Sequence, residues 1–152
     1  MQYFGSGYFP TNNLNRCHVG LEYANQDQNA SDRWSADTDI NMLYDCATTH
    51  VWIIYADFGE LTQWAGKAYI CNTDGQCDNN EAFNGTYASC QVRLNSHWIS
   101  GNPLYTDDEV QKLIMHELGH CYSLAHSNDP TSVMGGSSVP NAVDIMLINA
   151  RY

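Results

Sequence analysis

Basic residues are scarce in this sequence. Its 152 residues include only 6 lysines and arginines against 17 aspartates and glutamates, so the net charge is −11 at pH 7. A chain with this charge would be repelled by a nucleic-acid backbone, and we therefore expect no nucleic-acid partner. Long hydrophobic runs are also missing. The longest, Val51–Ala56, is far shorter than the ~20 residues of a membrane span, so we expect no membrane segment.

The sequence contains no internal repeat, no low-complexity stretch and no linker rich in Pro, Gly or Ser. Its hydrophobic fraction of 43% is enough for one core, and ~150 residues is the usual size of one domain. We predict a single domain over 1–152, with an irregular N-terminal arm at 1–16 and a C-terminal subdomain at 127–152. The first residues lack the basic and apolar segments of a signal peptide, which leaves an intracellular protein or the mature form of a secreted one.

The cysteines help to choose between these two compartments. There are six of them, none in a CxxC pair, and this excludes a zinc ribbon or a redox motif: Cys17, Cys46, Cys71, Cys77, Cys90 and Cys121. An even, dispersed set favours a secreted protein with disulfides, while the alternative is a cytosolic protein with inert buried thiols. Cys71 and Cys77 bracket a polar loop and could close it, but spacing leaves the pairing of the six open.

Hydrophobic patterning predicts strands first and long helices last. The predicted strands cover 17–23, 39–44, 50–55, 66–71 and 87–98, and a turn-rich acidic loop covers 72–85. Predicted helices cover 26–35, 107–124 and a last segment that begins at 140 or 141 and reaches 152. The helix at 107 has Thr106 as its N-cap, with Glu109 at the distance of a capping box. These elements predict an α+β fold with one mixed five-stranded sheet and about three helices.

The segment HELGHCYSLAH carries the most informative side chains. Residues four apart on a helix share one face, so His116 and His120 can direct their imidazoles to one point. Glu117 is offset from a ligand position, but it can reach a water bound to a metal there. Histidines around an open position are typical of catalytic zinc, which lowers the pKa of its water toward ~7. His126 can join them only if the helix breaks, and Ser123 is where the chain could turn.

Two histidines on a helix can also be exposed by chance, and the HExxH pattern alone occurs without a metal. Three further features favour a catalytic zinc site: the capped amphipathic helix, the third histidine and a methionine-containing turn after it. The other histidines, His18, His50 and His97, are scattered along the chain. We expect them at the surface or in the core rather than as ligands.

With these residues the sequence resembles the metzincin metallopeptidases, whose pattern is HExxHxxGxxH followed by a Met-turn. The stretch SNDPTSVM after the third histidine, and the residues from 144 to 152, make it similar to the matrixin members. The resemblance implies a zincin-like fold and one catalytic zinc ion. It also implies the site residues, namely His116, His120 and His126 as ligands, Glu117 as general base and acid, and Met134 beneath the zinc.

The resemblance further implies a zinc-dependent endopeptidase that cleaves extended polypeptides with a zinc-activated water. Its partners would be protein or peptide substrates, and we expect a secreted monomer. Gly66, Lys67, Ala68 and Tyr69 fall where the family has an antiparallel edge strand that pairs with substrate. Lys112 lies one turn before the first histidine, where matrixins line the pocket for the residue after the cut. A solvated surface lysine is an equally good interpretation.

The alternative to an endopeptidase comes from a different class of protein. It is a catalytically idle zinc module that binds protein through the same cleft. Glu117 argues against it, because a structural zinc site needs no base and usually closes its fourth position with protein. Cleavage of casein with and without a chelator distinguishes the two.

Three departures from the family pattern matter. Ser123 replaces the glycine of the helix-ending turn, and a left-handed conformation there would cost about 1–2 kcal/mol. Residues 57–90 contain no histidine, so the structural zinc site of matrixins has no ligands and we predict one zinc only. Gly136 occupies the position of the zinc-reaching tyrosine of astacin-like and serralysin-like members, which argues against those branches.

The acidic loop offers a second, weaker metal hypothesis. Asp74, Asp78 and Glu81 supply the hard oxygen ligands that calcium prefers, and matrixins bind calcium in comparable loops. Their spacing matches no EF-hand pattern, and a solvated loop is the alternative.

Overall fold

A computed structural model describes residues 2–152. Its strands are β1 (Asn13–Val19), β2 (Asn41–Tyr44), β3 (Val51–Ala56), β4 (Gly66–Asn72) and β5 (Tyr87–Asn95). Its helices are α1 (Ala24–Asp37), α2 (Asn80–Asn84), α3 (Ser96–Ile99), α4 (Asp107–Cys121) and α5 (Ala142–Asn149). In this part of the chain, no helix combines the length and apolar character needed to cross a bilayer.

The strands form one mixed sheet in the order β2-β1-β3-β5-β4. All neighbours are parallel except β4, which pairs antiparallel with β5 at one edge. β3 lies in the middle of the sheet, and its nearly continuous β-branched and aromatic residues are typical of a central strand. The predicted α+β fold with a mixed five-stranded sheet is thereby confirmed, with two short helices in addition to the three expected.

Helices α1 and α4 pack together over the core. Trp34 of α1 is fully buried, and its indole N–H donates to the backbone carbonyl of Met115 in α4 (3.0 Å). Its ring also packs edge-on against Tyr122, with ring centroids 5.7 Å apart. Tertiary contacts of this kind stabilise α1, whose many polar residues favour a helix only weakly. The helix therefore extends beyond the predicted 26–35.

The prediction for the N-terminal region was wrong in its boundaries. β1 begins at Asn13, inside the segment 1–16 that was expected to be irregular, and it ends at Val19 rather than at Tyr23. Four of the seven residues of β1 are polar, Asn13, Asn15, Arg16 and His18, and they hid the strand in the sequence although the last two are buried. At the other end, Gly20 (φ 88°) and Tyr23 (φ 61°) are left-handed, which ends the strand before α1.

Two other boundaries differ from the predicted ones. The acidic loop at 72–85 contains α2, because Asn79 caps a short helix by accepting a hydrogen bond from the backbone N–H of Ala82 (2.9 Å). The strand predicted over 87–98 ends at Asn95, whose side chain caps α3 in the same way. Asn95 is fully buried, and its amide also donates to backbone carbonyls of Gly59 and Trp64. It thereby fixes the loop that leads into β4.

The cysteines form three disulfides, Cys17–Cys46, Cys71–Cys77 and Cys90–Cys121. The second closes the polar loop that its two cysteines bracket in the sequence. The third joins β5 to the C-terminal end of α4, beside the histidine segment. Disulfides persist in oxidising compartments, so this set indicates an oxidising environment.

Candidate metal centre

Helix α4 carries the first two histidines of the site. The Thr106 hydroxyl caps it by accepting a hydrogen bond from the backbone N–H of Glu109 (3.3 Å), as the sequence predicts. The helix ends at Cys121, earlier than the predicted residue 124. Ser123 then adopts a left-handed conformation (φ 75°), so the chain reverses and His126 returns to the end of the helix.

The three histidines converge. One potential ligand nitrogen from each of His116, His120 and His126 lies within 4.8 Å of the others, and the residues 2–152 contain no other such group of histidine, cysteine or acidic side chains. The Nε2 atoms of His120 and His126 are 3.2 Å apart. Two nitrogens bound at about 2.0–2.1 Å to one tetrahedral zinc ion would be separated by about 3.3 Å. The spacing of these two nitrogens fits zinc.

The hydrogen bonds of two rings select the tautomer that a metal needs. His116 Nδ1 lies 3.1 Å from the Val133 carbonyl, and His120 Nδ1 lies 2.7 Å from the Leu124 carbonyl. Because a carbonyl only accepts, each Nδ1 carries the proton and each Nε2 keeps its lone pair. Burial lowers the pKa of both histidines, that of His120 to about 3. Both rings are therefore neutral, as metal ligands must be.

Glu117 lies between the histidines and the edge strand β4. Its side chain is buried, and this burial raises the pKa of its carboxyl to about 7, against the opposing effects of the Ala68 backbone N–H and the Lys67 ammonium. A carboxyl group with a pKa near neutrality can both accept and return a proton at physiological pH.

Met134 lies in a 3-10 turn, Val133–Gly135, against α4. A Cβ atom at Gly119 would collide with the Met134 sulfur, so only glycine lets the turn approach the helix this closely. The sequence analysis missed Gly119. A glycine inside a helix destabilises it by about 1 kcal/mol relative to alanine. A glycine in the middle of the predicted helix therefore indicates that another segment packs closely against the helix there, and this was the signal available in the sequence.

Asp144 at the start of α5 is a second residue that the sequence analysis did not assign to the site. Its carboxylate is fully buried and accepts hydrogen bonds from the Ser132 hydroxyl (2.6 Å) and the Val133 backbone N–H (2.9 Å). It thereby ties the methionine turn to α5. Its place three residues after the N-cap Asn141, in a capping box, is the signal that could have identified it.

Three cavities adjoin the histidines, and two of them contain predicted substrate-binding residues. One, of about 260 Å³, has Lys112 in its wall and is lined by Tyr105, Glu109, Lys112, Leu113, His116, Val133 and Gly136. The other, of about 280 Å³, includes Gly66, Lys67 and Ala68 of β4 together with Glu117, His120 and His126. Tyr69 is not part of either lining, and its ring centroid lies 3.9 Å from the Arg93 guanidinium carbon. The structure thus brings four of the five predicted substrate-binding residues to the cleft.

The acidic loop offers no comparable metal site. Asp78 Oδ2 is 2.7 Å from Lys67 Nζ, so this carboxylate already has a cationic partner. Within 2–152, Asp74 and Glu81 do not join it in a group close enough to hold an ion. Calcium binding in this loop stays a prediction.

Comparison with known proteins decides the family. A family model described as Matrixin matches residues 21–145. The chain belongs to the matrixin family. Matrix metalloproteinase-16 of Rattus norvegicus and of Homo sapiens is 46% identical to this matrixin over 37 residues, which are 24% of the chain. The matched segment covers 6% of the length of those relatives.

The solved structure of myroilysin is similar over the whole matrixin chain. It superposes with a TM-score of 0.64 and 14% sequence identity, covering 100% of this chain and 88% of that one. At this identity the comparison supports the fold.

Proposed function

We propose that this matrixin is a zinc-dependent endopeptidase that hydrolyses peptide bonds of extended polypeptides. The observation that carries the proposal is the convergence of three imidazoles beside a buried carboxyl group, at the centre of a cleft that runs along a sheet edge. A closed structural zinc site would need neither the carboxyl group nor the cleft.

In this proposal His116, His120 and His126 hold the zinc ion, and Met134 supports them from below. Bound zinc supplies Lewis acidity, which polarises a peptide carbonyl and makes water more acidic. Glu117 takes a proton from the attacking water and returns it to the amine that leaves. Its burial beside β4 keeps this exchange away from bulk solvent.

The edge of β4 is the proposed binding surface for the substrate backbone. The strand pairs on one side with β5, and its other side is not paired with a strand in the described sheet. An extended peptide can add to such an edge through main-chain hydrogen bonds, which suits substrates of varied sequence. We assign this role to the segment of Gly66, Lys67, Ala68 and Tyr69, in which the backbone groups of Gly66 and Ala68 face away from β5. A Cβ at Gly66 would contact Leu113 closely, so glycine lets the strand lie against α4.

Lys112 is the proposed determinant of the pocket for the residue after the cut. It shares its cavity with His116 and with the apolar side chains of Leu113 and Val133. A lysine stem can line an apolar pocket while its ammonium reaches water or an acid, and Glu109 lies in the same wall. We propose that this pocket accepts medium apolar side chains such as leucine.

The three disulfides support a further part of the proposal, which is that the enzyme works outside the cell.

Glu117→Ala provides the test of the proposed reaction. The variant should lose casein cleavage while retaining zinc, because Glu117 is the base and not a ligand. Removing one general base typically costs about 10²–10⁴-fold in rate. Asp108→Ala, which removes an exposed acid from the same helix, should cleave like the unsubstituted protein. Each protein is measured for cleavage, with and without a chelator, and for zinc by metal analysis.

Two results would contradict the proposal. Zinc lost together with activity in Glu117→Ala would mean that Glu117 is part of the ligand set. Zinc bound to the unsubstituted protein without any cleavage would favour the idle binding module.

A further inference from the structure

Residues 2–9, called the arm from here on, run across the turn that separates two of the histidines. The backbone N–H of Phe4 donates to the Ser123 carbonyl (2.7 Å), and the backbone N–H of Ala125 donates to the Gln2 carbonyl (2.9 Å). Between these bonds, Tyr3 and Leu124 form an antiparallel bridge. The arm therefore pairs, like a short strand, with the segment that joins His120 to His126.

The Phe4 side chain reaches the histidine cluster itself. Its ring stacks on the His120 ring, with centroids 4.7 Å apart and planes inclined by 29°. Its other neighbour is Phe83, also at 4.7 Å and nearly parallel (7°). His120 is thus held from two directions, by the Phe4 ring on its face and by the Leu124 carbonyl at Nδ1.

Arg151 fastens the arm to the other end of the chain. Its guanidinium donates to the Gly7 carbonyl through Nη1 (3.0 Å) and to the Gly5 carbonyl through Nη2 (2.7 Å). The same guanidinium lies 3.4 Å from the ring centroid of Tyr3. The positive charge of Arg151 is attracted to the face of the Tyr3 ring, and the two charge-assisted hydrogen bonds to the arm add to this attraction.

The turn under the arm needs such support. Ser123 is a non-glycine residue in the left-handed region, and strained conformations of this kind persist only where the surroundings fix them. The arm fixes the turn on both sides of the strain, through the Ser123 carbonyl and the Ala125 N–H. Neither the family match nor the site residues assigned above include the arm.

We infer that residues 2–9 position the proposed zinc ligands, with Phe4 orienting the His120 ring and Arg151 holding the arm in place. Both are positioning residues, since Phe4 acts through His120 and Arg151 acts through the arm. The inference rests on the proposed function for the identity of the metal. Groups that contact a metal ligand without touching the metal typically contribute about 10–100-fold to metal affinity. Because weaker binding usually means faster dissociation, loss of the arm contacts should increase the rate of zinc release.

The experiment measures how fast zinc passes from the purified zinc-loaded protein to a chromogenic chelator. Arg151→Ala removes both carbonyl contacts without touching a histidine, and we expect release to accelerate about tenfold or more. Arg33→Ala is the matched control, because Arg33 pairs only locally with Asp37 on the surface of α1. It should release zinc at the unsubstituted rate.

A second pair of variants tests the stacking contact. Phe4→Leu keeps an apolar side chain but loses the aromatic face, so zinc release should again accelerate, while Phe4→Tyr should restore the slow rate. This pair carries the test if Arg151→Ala does not fold. Hydrogen exchange of the Ala125 amide, measured in each variant, reports whether the arm has left the turn.

The outcomes separate this inference from the proposed function. Zinc bound to the unsubstituted protein, with unchanged release from variants whose Ala125 amide exchanges freely, would overturn the role of the arm alone. Variants that melt at lower temperature without zinc but release zinc at the unsubstituted rate would also overturn it, since the arm would then be merely structural. A protein that binds no zinc would overturn both.

Discussion

At the scale of single residues, Ser123 departs most from what its position favours. It is fully buried with a positive φ, and its hydroxyl has no hydrogen-bond partner within the described part of the chain. Glycine adopts this backbone conformation without the clash between Cβ and carbonyl that a serine suffers. The serine therefore combines two unfavourable features at the turn that brings His126 back to the cluster.

Ser123→Gly should consequently stabilise the protein. Removing the left-handed strain stabilises the folded variant, while the extra entropy that glycine gives the unfolded chain opposes this effect. The net increase in the free energy of unfolding should be about 1 kcal/mol. For a chain of this size that is a rise in melting temperature of about 2–4 °C, measured by thermal denaturation. Ser100→Gly is the control, since Ser100 is exposed with φ −63° and should gain nothing. A lower melting temperature for Ser123→Gly would mean that the hydroxyl stabilises the turn.

At the scale of elements, β1 and α1 are joined by a buried polar cluster. Arg16 Nη1 and His18 Nδ1 each lie 3.5 Å from Asp27 Oδ2, and all three side chains are almost fully buried. The Ser31 hydroxyl donates to the other oxygen of Asp27 (3.2 Å), and His18 Nε2 contacts the Glu22 carbonyl (2.7 Å). His18 is therefore a structural histidine, away from the metal centre.

This cluster makes the contribution of His18 to stability depend on pH. The Asp27 carboxylate raises the pKa of His18, against the effects of burial and of Arg16. A raised pKa in the folded state means that protonated His18 stabilises the protein fully below its ordinary pKa of 6.5, and that this stabilisation disappears as the pH rises through the folded pKa.

His18→Gln should therefore lower the free energy of unfolding more at about pH 5.5 than at about pH 8.5. Urea denaturation of both proteins at both pH values measures the difference. His97→Gln replaces an exposed histidine outside the cluster and corrects for the general effect of removing an imidazole. Equal losses at the two pH values would show that His18 titrates alike in the folded and unfolded states.

At the scale of the whole molecule, two of the three disulfides, Cys17–Cys46 and Cys90–Cys121, join residues that lie far apart in the sequence. Cys90–Cys121 closes a separation of 31 residues and links β5 to α4, while Cys71–Cys77 closes a separation of only 6. Longer closed loops restrict the unfolded chain more. Cys90–Cys121 should therefore contribute more to global stability than Cys71–Cys77.

Replacing Cys90 and Cys121 together by alanine should cost about 4 kcal/mol, against about 2 kcal/mol for Cys71 and Cys77. Urea denaturation of the two double variants checks the difference. Because Cys121 follows His120 directly, the first variant should also hold zinc less tightly, and the second should not. Equal losses of stability would mean that loop closure does not determine these contributions.

The part of the site that could be predicted consists of residues that lie close together in the sequence. Helical spacing brings His116 and His120 to one face, and the short interval to His126 requires the break that Ser123 provides. The sheet was also predictable, because alternation and β-branched runs mark its strands. The start of β1 was not, since Asn13 and Asn15 interrupt its apolar pattern.

Residues that act through distant contacts could not be predicted in this way. Phe4 precedes the His120 ring on which it stacks by most of the chain, and no periodicity connects the two positions. Gly119 has a local signal, but the reason for it, the sulfur of Met134, becomes visible only after the chain has folded. Sequence spacing describes one element at a time, whereas these contacts join elements.

The contacts of the arm have a consequence for synthesis on the ribosome. Tyr3 donates a hydrogen bond to the Leu147 carbonyl across 144 residues of sequence, and Arg151 lies still further along the chain. A nascent chain that has emerged as far as His126 already contains every proposed ligand and the turn that pairs with the arm, yet the arm gains its contacts with Leu147 and Arg151 only after residue 151 has left the exit tunnel. The support that the arm gives the proposed ligands would therefore be complete only once residue 151 has folded back against Gly5 and Gly7.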